Sequence, residues 1–204
     1  MTKIFFFIKI KKQVQWGIYV NKEDRMKVFA IRHGDFSPVN GGRPTSLALR
    51  MFLQLLKKLL IVGLACSGVP RTQELAIRGA RRCGAKQLTI IKEFNPLGTT
   101  KWPKLFGGWL YELLHRWQLF NHVCLILWWV GLPIFTEGPA QFLERTIAGI
   151  EKLRAAVDTA DEVFLVCHQE TIIALRMIVN KESPIRAFSL RRRVRHLEIN
   201  EFKI

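Results

Sequence analysis

Short runs of consecutive apolar residues recur along the chain and alternate with longer stretches whose apolar positions repeat every three or four residues. Runs of the first kind are typical of β-strands covered on both faces, and stretches of the second kind are typical of amphipathic helices. This pattern predicts strands at 28–31, 60–66, 88–91 and 163–167. Residues 194–202 alternate roughly with period two, which indicates a further strand at an edge of the sheet.

Helices are predicted between these strands. Thr45 or Ser46 can cap the first, since either hydroxyl can accept a bond from an unpaired amide. Pro70 lies near the start of the second helix, and Gly84 stands where a glycine ends a helix. Pro139 opens another helix, and residues 169–180 suit a mostly buried one. Strands and helices therefore alternate, which predicts an α/β fold with a mostly parallel sheet.

Two segments interrupt this alternation. Residues 101–136 contain five of the six tryptophans and predict an inserted helical pair. This insertion could be a lid, a dimer contact or a membrane-facing patch, with ordinary packing onto the core as the default. Residues 1–22 form an N-terminal extension ahead of the main domain at 23–204. Its apolar run at 4–8 could be an edge strand, a membrane-surface contact, or sequence upstream of a start at Met26.

The net charge limits the classes of molecule that are expected to bind. The chain has 32 Lys and Arg against 16 Asp and Glu, a net charge of +16, which attracts phosphorylated metabolites, nucleic acid or acidic lipid. The arginines at 191–193 and 195 are the best nucleic-acid feature, but no recognised nucleic-acid motif accompanies them, so nucleic acid is a possible but less favoured partner. The most apolar stretch of the insertion is too short to span a bilayer. The four cysteines form no C-x-x-C pair, which argues against zinc and favours reduced thiols in a cytoplasmic protein.

Polar residues follow three of the predicted strands. Arg32 and His33 end the first strand, Arg71 follows the turn after the second, and His168 ends the fourth. Because the carboxyl ends of parallel strands share one edge of the sheet, we expect these side chains to converge. Arginine donates paired hydrogen bonds to phosphate, and helix N-termini after Ser67 and His168 would add backbone donors. A phosphate site is therefore predicted, whereas His115, His122 and His196 are expected to be structural or exposed.

These elements resemble the histidine phosphatase superfamily, which includes the cofactor-dependent phosphoglycerate mutases. The triplet Arg32-His33-Gly34 is similar to the family's R-H-G signature, and the segment at 66–76 is similar to its serine-containing turn and arginine-bearing helix. The strand ending in His168 is similar to its third element. The resemblance covers roughly residues 26–100 and 137–204, and it implies a three-layer α/β/α sandwich carrying the helical insertion.

The resemblance also implies a covalent mechanism on a small phosphorylated substrate. His33 would attack phosphorus and form a phosphohistidine that water hydrolyses, which makes the protein a phosphoric monoester hydrolase. Arg32, Arg71 and His168 would hold the equatorial oxygens, with Gly34 and Gln169 completing the phosphate site. The cations would take the place of a metal, so neither a metal nor another cofactor is expected.

A general acid is expected to protonate the leaving oxygen. Gln169 stands where one branch of the family has Asp, so the chain resembles the other branch, in which the acid is a glutamate just after the third strand. Glu93 is the nearest match to that glutamate. Asp35 and Glu170 are reserves. A member of the family without this acid would favour substrates with good leaving groups.

Other functions remain open from the sequence. The same fold could act as a catalytically weak phosphate- or nucleic-acid-binding protein, or as a phosphotransferase of the phosphoglycerate mutase type. A peripheral membrane protein that uses the tryptophan-rich insertion ranks third.

Overall fold

The computed structural model describes residues 26–34, 36–37, 43–56, 63–85, 87–97, 118–132, 134–157, 162–189 and 194–204. The strands are β1 (Lys27–Arg32), β2 (Phe36–Ser37), β3 (Arg43–Pro44), β4 (Gly63–Cys66), β5 (Gln87–Ile90), β6 (Glu162–Cys167) and β7 (Ile199–Lys203). The helices are α1 (Ser46–Leu56), α2 (Pro70–Cys83), α3 (Gln118–Trp129), α4 (Pro139–Ala156), α5 (Gln169–Ile178) and α6 (Pro184–Ala187). A 3₁₀ turn, Lys92–Phe94, follows β5.

Five strands form the main sheet, in the order β5-β4-β6-β1-β7. The first four are parallel to one another, and β7 runs antiparallel to β1 along the outer edge. Strands β2 and β3 form a separate small ribbon. The expected mostly parallel sheet is confirmed.

Both faces of the sheet are covered, as expected for strands that are continuously apolar. On one face, Val28, Ala30 and Leu165 pack in a cluster with residues of α3, α4 and α5. On the other face, Ile31 and Val166 pack in a cluster with residues of α1 and α2. The molecule is therefore a three-layer α/β/α sandwich, as the resemblance implied.

The ends of two helices follow the expected residues. Thr45 Oγ1 accepts a hydrogen bond from the Ala48 amide at 3.2 Å, which caps α1. Pro70 opens α2, and Gly84 ends it with a left-handed φ of 69°, where a residue without Cβ is favoured.

The last strand is shorter than expected. The sequence predicted a strand over 194–202, but pairing with β1 begins only at Ile199. Residues before it form a turn in which Leu197 has a φ of 59° and its amide donates to the Arg32 carbonyl at 2.9 Å. The alternating pattern was misleading because this segment is held by contacts with the end of β1 rather than by a ladder.

One helix of the expected insertion, α3, lies within the described residues. Outside them lie residues 101–117, the extension at 1–22, Asp35, His115 and the arginines at 191–193. Cys124, Leu125 and Trp128 of α3 are buried in the core, and the Trp128 indole donates to the Glu137 carbonyl at 2.7 Å. This helix therefore packs onto the core, and the role of the whole insertion stays a prediction. No helix in the described ranges is both long and apolar enough to cross a bilayer.

Candidate active site

The carboxyl ends of β1, β4 and β6 lie side by side. The His33 amide donates to the Cys167 carbonyl, and the Ser67 amide donates to the Val166 carbonyl, both at 3.1 Å. These bonds extend the parallel ladders one residue beyond the strands. They place the residues that follow the three strands at one edge of the sheet, as the sequence predicted.

His33 is buried and held in one tautomer. Its Nδ1 lies 2.7 Å from the Gly34 carbonyl oxygen, which can only accept, so Nδ1 carries the proton. Its Nε2 accepts a hydrogen bond from Arg71 Nε at 3.0 Å. Burial, followed by the Arg71 charge, lowers the pKa of His33 well below its ordinary value. His33 therefore presents a neutral ring with a lone pair on Nε2.

Arg71 joins the two histidines. While its Nε binds His33, its Nη2 lies 3.4 Å from Nδ1 of His168. The two imidazole rings are 5.0 Å apart between centroids and inclined at 67°. Two rings this close can contact one tetrahedral anion. The side chains of His33 and His168 thus converge, as the sequence analysis expected.

His168 is also buried and neutral. Burial lowers its pKa well below the ordinary value, and the charges of His33, Arg71 and Arg32 act in the same direction. Its Nε2 lies 2.8 Å from Ser67 Oγ, which fixes the ring from behind. The cluster of His33, Arg71 and His168 is called the histidine–arginine cluster below.

Arg32 links this cluster to the turn before β7. Its Nη1 donates to the Val194 carbonyl at 2.8 Å, and its own carbonyl accepts from Leu197. Together these bonds bring the ring of His196 to 6.2 Å from that of His33, at 28° between the planes. The expectation that His196 is merely structural or exposed overlooked this placement. The antiparallel edge strand was the available signal, since it returns residues 196–198 to the end of β1.

Gly34 is needed for packing at this edge. A Cβ on Gly34 would lie 2.5 Å from the Cβ of Ala48 on α1, far inside contact distance. The absence of a side chain at Gly34 therefore permits the close approach of α1, while the Gly34 carbonyl holds the His33 ring.

The N-terminus of α5 adds to the site. His168 is its N-cap residue, and Gln169, the expected phosphate-binding residue, is the buried first residue of the helix. Amide groups in a first helical turn have no intrahelical partner and can bind an anion. Glu170 is half-buried in the same turn, and its charge raises the pKa of Arg71 against the opposing effect of burial.

Glu93 lies in the 3₁₀ turn after β5, and its carboxylate is ion-paired with Lys152 of α4. The Lys152 hydrogen bond is the main reason that the pKa of Glu93 is lowered. A general acid needs a raised pKa and a proton to donate. Among the described residues, Glu93 makes no hydrogen bond to the histidine–arginine cluster, and its expected role as the acid stays a prediction.

A second set of polar contacts, not foreseen from the sequence, holds the turn at Ser67 and Gly68. The Gly68 amide donates to Asn95 Oδ1 at 2.5 Å, and Gln73 Nε2 donates to the Gly68 carbonyl at 2.9 Å. Arg145 in turn binds the Asn95 carbonyl at 3.0 Å. These residues support the turn that positions Ser67 behind His168.

Solved structures share this architecture. A structure described as mycobacterial hydrolase 1 matches with a TM-score of 0.66 at 15% identity, over 88% of this chain and 91% of the other. Mycobacterial glucosyl-3-phosphoglycerate phosphatase matches with a TM-score of 0.60 at 16% identity, over 81% and 84%. The chain has the fold of these structures.

The alpha-ribazole phosphatase of Shigella flexneri shares this fold, with a TM-score of 0.59 at 20% identity over 86% of this chain and 89% of the other. No protein-family model and no curated protein matched the sequence. At these identities the similarity establishes the fold.

Proposed function

We propose that the protein is a metal-independent phosphatase that hydrolyses a phosphomonoester through a phosphohistidine on His33. The observation that carries the proposal is the arrangement of the His33 ring. With the proton on Nδ1 held by the Gly34 carbonyl, Nε2 keeps its lone pair and faces the guanidinium of Arg71. A buried, neutral, oriented imidazole is the form of histidine that can act as a nucleophile.

Arg71 would move when substrate binds. Its Nε occupies the position 3.0 Å from Nε2 that a phosphorus atom would take before attack. The guanidinium would then transfer its donors from the two imidazoles to the phosphoryl oxygens, where the negative charge lies. This exchange of hydrogen bonds is favourable, because an anion is a stronger partner for guanidinium than a neutral ring.

Further side chains and backbone amides would complete the site. Arg32 and His168, with the amides that begin α5, surround the same region and would bind the equatorial oxygens. Displacement by Nε2 breaks the P–O bond to the leaving group, and water then displaces the imidazole. Orthophosphate is released, and His33 returns to its neutral form.

We infer a small phosphomonoester as the substrate class, because two structural neighbours are named as phosphatases of glucosyl-3-phosphoglycerate and of alpha-ribazole. Because Glu93 is ion-paired with Lys152, it would not donate a proton to the oxygen of the leaving group. The favoured substrates are therefore esters whose leaving groups depart without prior protonation.

The proposal is tested with p-nitrophenyl phosphate at mildly acidic to neutral pH in the presence of a chelator. Wild-type protein should hydrolyse it, and His33→Ala should lose activity by about a thousandfold or more. Acid-labile, base-stable phosphate should be trapped on the wild-type protein and be absent from the variant. Equal rates for the two proteins would refute the proposal.

Arg71 provides a second test with a matched control. Arg71→Ala should lower kcat/KM by roughly a hundredfold to a thousandfold, as removal of a transition-state donor does. Arg78→Ala removes an exposed arginine of the same helix, which is paired with Glu74, and should leave the rate unchanged. Equal losses in both variants would point to the fold of α2 rather than to the site.

The ion pair at Glu93 also favours a second candidate, a phosphate-binding protein with weak or no turnover. Such a protein would bind tungstate at the histidine–arginine cluster and would form no phosphoenzyme with any ester. Binding without trapped phosphate would select this candidate over the phosphatase.

A further inference from the structure

Two buried hydroxyl groups lie behind His168. Ser67 and Thr72 have no exposed surface, and their oxygens are 2.7 Å apart. Ser67 Oγ also lies 2.8 Å from Nε2 of His168. A continuous line of hydrogen bonds therefore runs from α2 through the end of β4 to the imidazole ring.

The proton positions along this line follow from the partner at its far end. Thr72 Oγ1 donates to backbone carbonyls, with the Ser67 oxygen at 3.0 Å and the Val69 oxygen at 2.9 Å. A hydroxyl has one proton, and while Thr72 uses it on these carbonyls its oxygen accepts from Ser67. The Ser67 proton is then used, and its oxygen must accept from Nε2 of His168. The relay places the His168 proton on Nε2.

The opposite side of the ring gives the same result independently. Nδ1 of His168 faces Arg71 Nη2, and guanidinium groups only donate. Nδ1 therefore has a lone pair where it faces the space between the two histidines. That space is where the proposed function places the phosphoryl group.

The lone pair on Nδ1 of His168 would be repelled by a bound anion. If a tetrahedral dianion replaces Arg71 at Nδ1, the two meet without a proton between them, which is unfavourable in a buried site. Among the described residues, Ser67 and Thr72 are not the only groups near His168. The cations Arg32, Arg71 and Arg145 and the ring of His33 also face it, and Glu170 lies in the first turn of α5. The cations keep His168 neutral in the free site, and a dianion reverses the sign of the local charge.

We propose that binding of an oxyanion at this site takes up one proton from solvent onto Nδ1 of His168, and that Ser67 and Thr72 are the positioning residues that impose this uptake. This inference rests on the proposed function only in placing the anion between the two histidines. It requires no turnover. The resulting imidazolium donates Nδ1–H to the anion and Nε2–H to Ser67.

Isothermal titration of the full chain with tungstate tests the inference. At mildly alkaline pH tungstate is a dianion that does not itself titrate, so buffers of different ionisation enthalpy report protons taken up by the protein. Any contribution from His33 is common to all variants. The informative comparison is between Thr72→Ser, which keeps the relay hydroxyl, and Thr72→Val, which removes it at nearly constant shape.

In Thr72→Val the Ser67 proton is released to bind Nε2, and His168 can then carry its own proton on Nδ1. Uptake should be one proton per tungstate lower in Thr72→Val than in Thr72→Ser. The affinity of Thr72→Ser should also fall more steeply with pH, by about tenfold more per pH unit. Ser67→Ala should behave like Thr72→Val, and it keeps the test decisive if the valine variant does not fold.

The outcomes separate the two proposals. Equal proton uptake in the serine and valine variants would overturn the relay and leave the proposed function standing. The expected difference together with no phosphoenzyme would support the relay and refute the phosphatase. Absence of tungstate binding to the wild-type protein would overturn the anion site itself, and both proposals with it.

Discussion

Arg71 has the most consequential contacts of any single residue at the site. Its Nε and Nη2 reach two imidazole nitrogens on different strands, a geometry that a planar fork can provide and a lysine cannot. Because both nitrogens are acceptors, this one side chain shows that both histidines are neutral in the free protein. Glu170, in the first turn of α5, partly offsets the effect of burial on its pKa.

The ion pair of Glu93 with Lys152 yields a prediction at the same scale. Glu93→Gln should change hydrolysis of p-nitrophenyl phosphate by less than about threefold, whereas removal of a general acid typically costs roughly a hundredfold or more. Rates should fall steeply from p-nitrophenyl to phenyl phosphate in both proteins, measured as initial rates. Glu74→Gln is the matched control, since Glu74 is also ion-paired, to Arg78. A large loss confined to phenyl phosphate would restore Glu93 as the acid.

At the scale of elements, helix α4 supports the turn that carries Ser67, although it lies outside the histidine–arginine cluster. Helix α4 packs against the 3₁₀ turn Lys92–Phe94 through Gly149, and Arg145 of the same helix binds the Glu93 and Asn95 carbonyls. Asn95 in turn holds the amide of Gly68. An element without a residue in the histidine–arginine cluster thereby positions the turn that carries Ser67.

Gly149→Ala tests this packing. A Cβ there would lie 2.7 Å from Cε1 of the fully buried Phe94 and 3.1 Å from Cβ of Glu93. Overpacking costs about 1–3 kcal/mol, while the gain in helix propensity is about 1 kcal/mol, so the free energy of unfolding should fall by up to about 2 kcal/mol in urea titrations. Ala155→Gly, at an exposed position of the same helix, should cost about 1 kcal/mol from propensity alone. A more stable Gly149→Ala variant would show that the 3₁₀ turn moves freely.

For the whole molecule, function and stability compete at the histidine pair. His33 is 6% exposed and His168 is 1% exposed, and in the folded protein both have a pKa well below the ordinary 6.5. Keeping two neutral imidazoles in a cationic interior prepares the site for an anion. It also makes folding sensitive to acid.

The free energy of unfolding should therefore decrease as the pH falls from about 6.5. Below that value the unfolded chain protonates both imidazoles while the folded protein does not, so protons favour unfolding. Each histidine contributes a slope of up to about 1.4 kcal/mol per pH unit. Urea titrations between roughly pH 7 and 5 should show a shallower slope in His168→Gln than in wild type. An unchanged slope would show that His168 is protonated in the folded state.

Local sequence determined much of this protein. Consecutive apolar residues predicted β1, β4 and β6 because a strand covered on both faces has few polar positions, and a shorter apolar run predicted β5, whose side chains are mostly exposed at the edge of the sheet. Pro70 and Gly84 predicted the limits of α2 because each restricts or permits a particular backbone conformation. The positions of His33, Arg71 and His168 after three parallel strands predicted their convergence, because chain direction alone brings those ends together.

Tertiary structure alone decided which partners these side chains have. Glu93 pairs with Lys152, and His196 reaches His33, through packing between segments distant in sequence. The tautomer of His168 depends on hydroxyls in the turn after β4 and the first turn of α2. A local pattern records the backbone preferences and burial of each segment. The direction of a hydrogen bond or ion pair depends on where another segment is placed, and that placement exists only in the folded molecule.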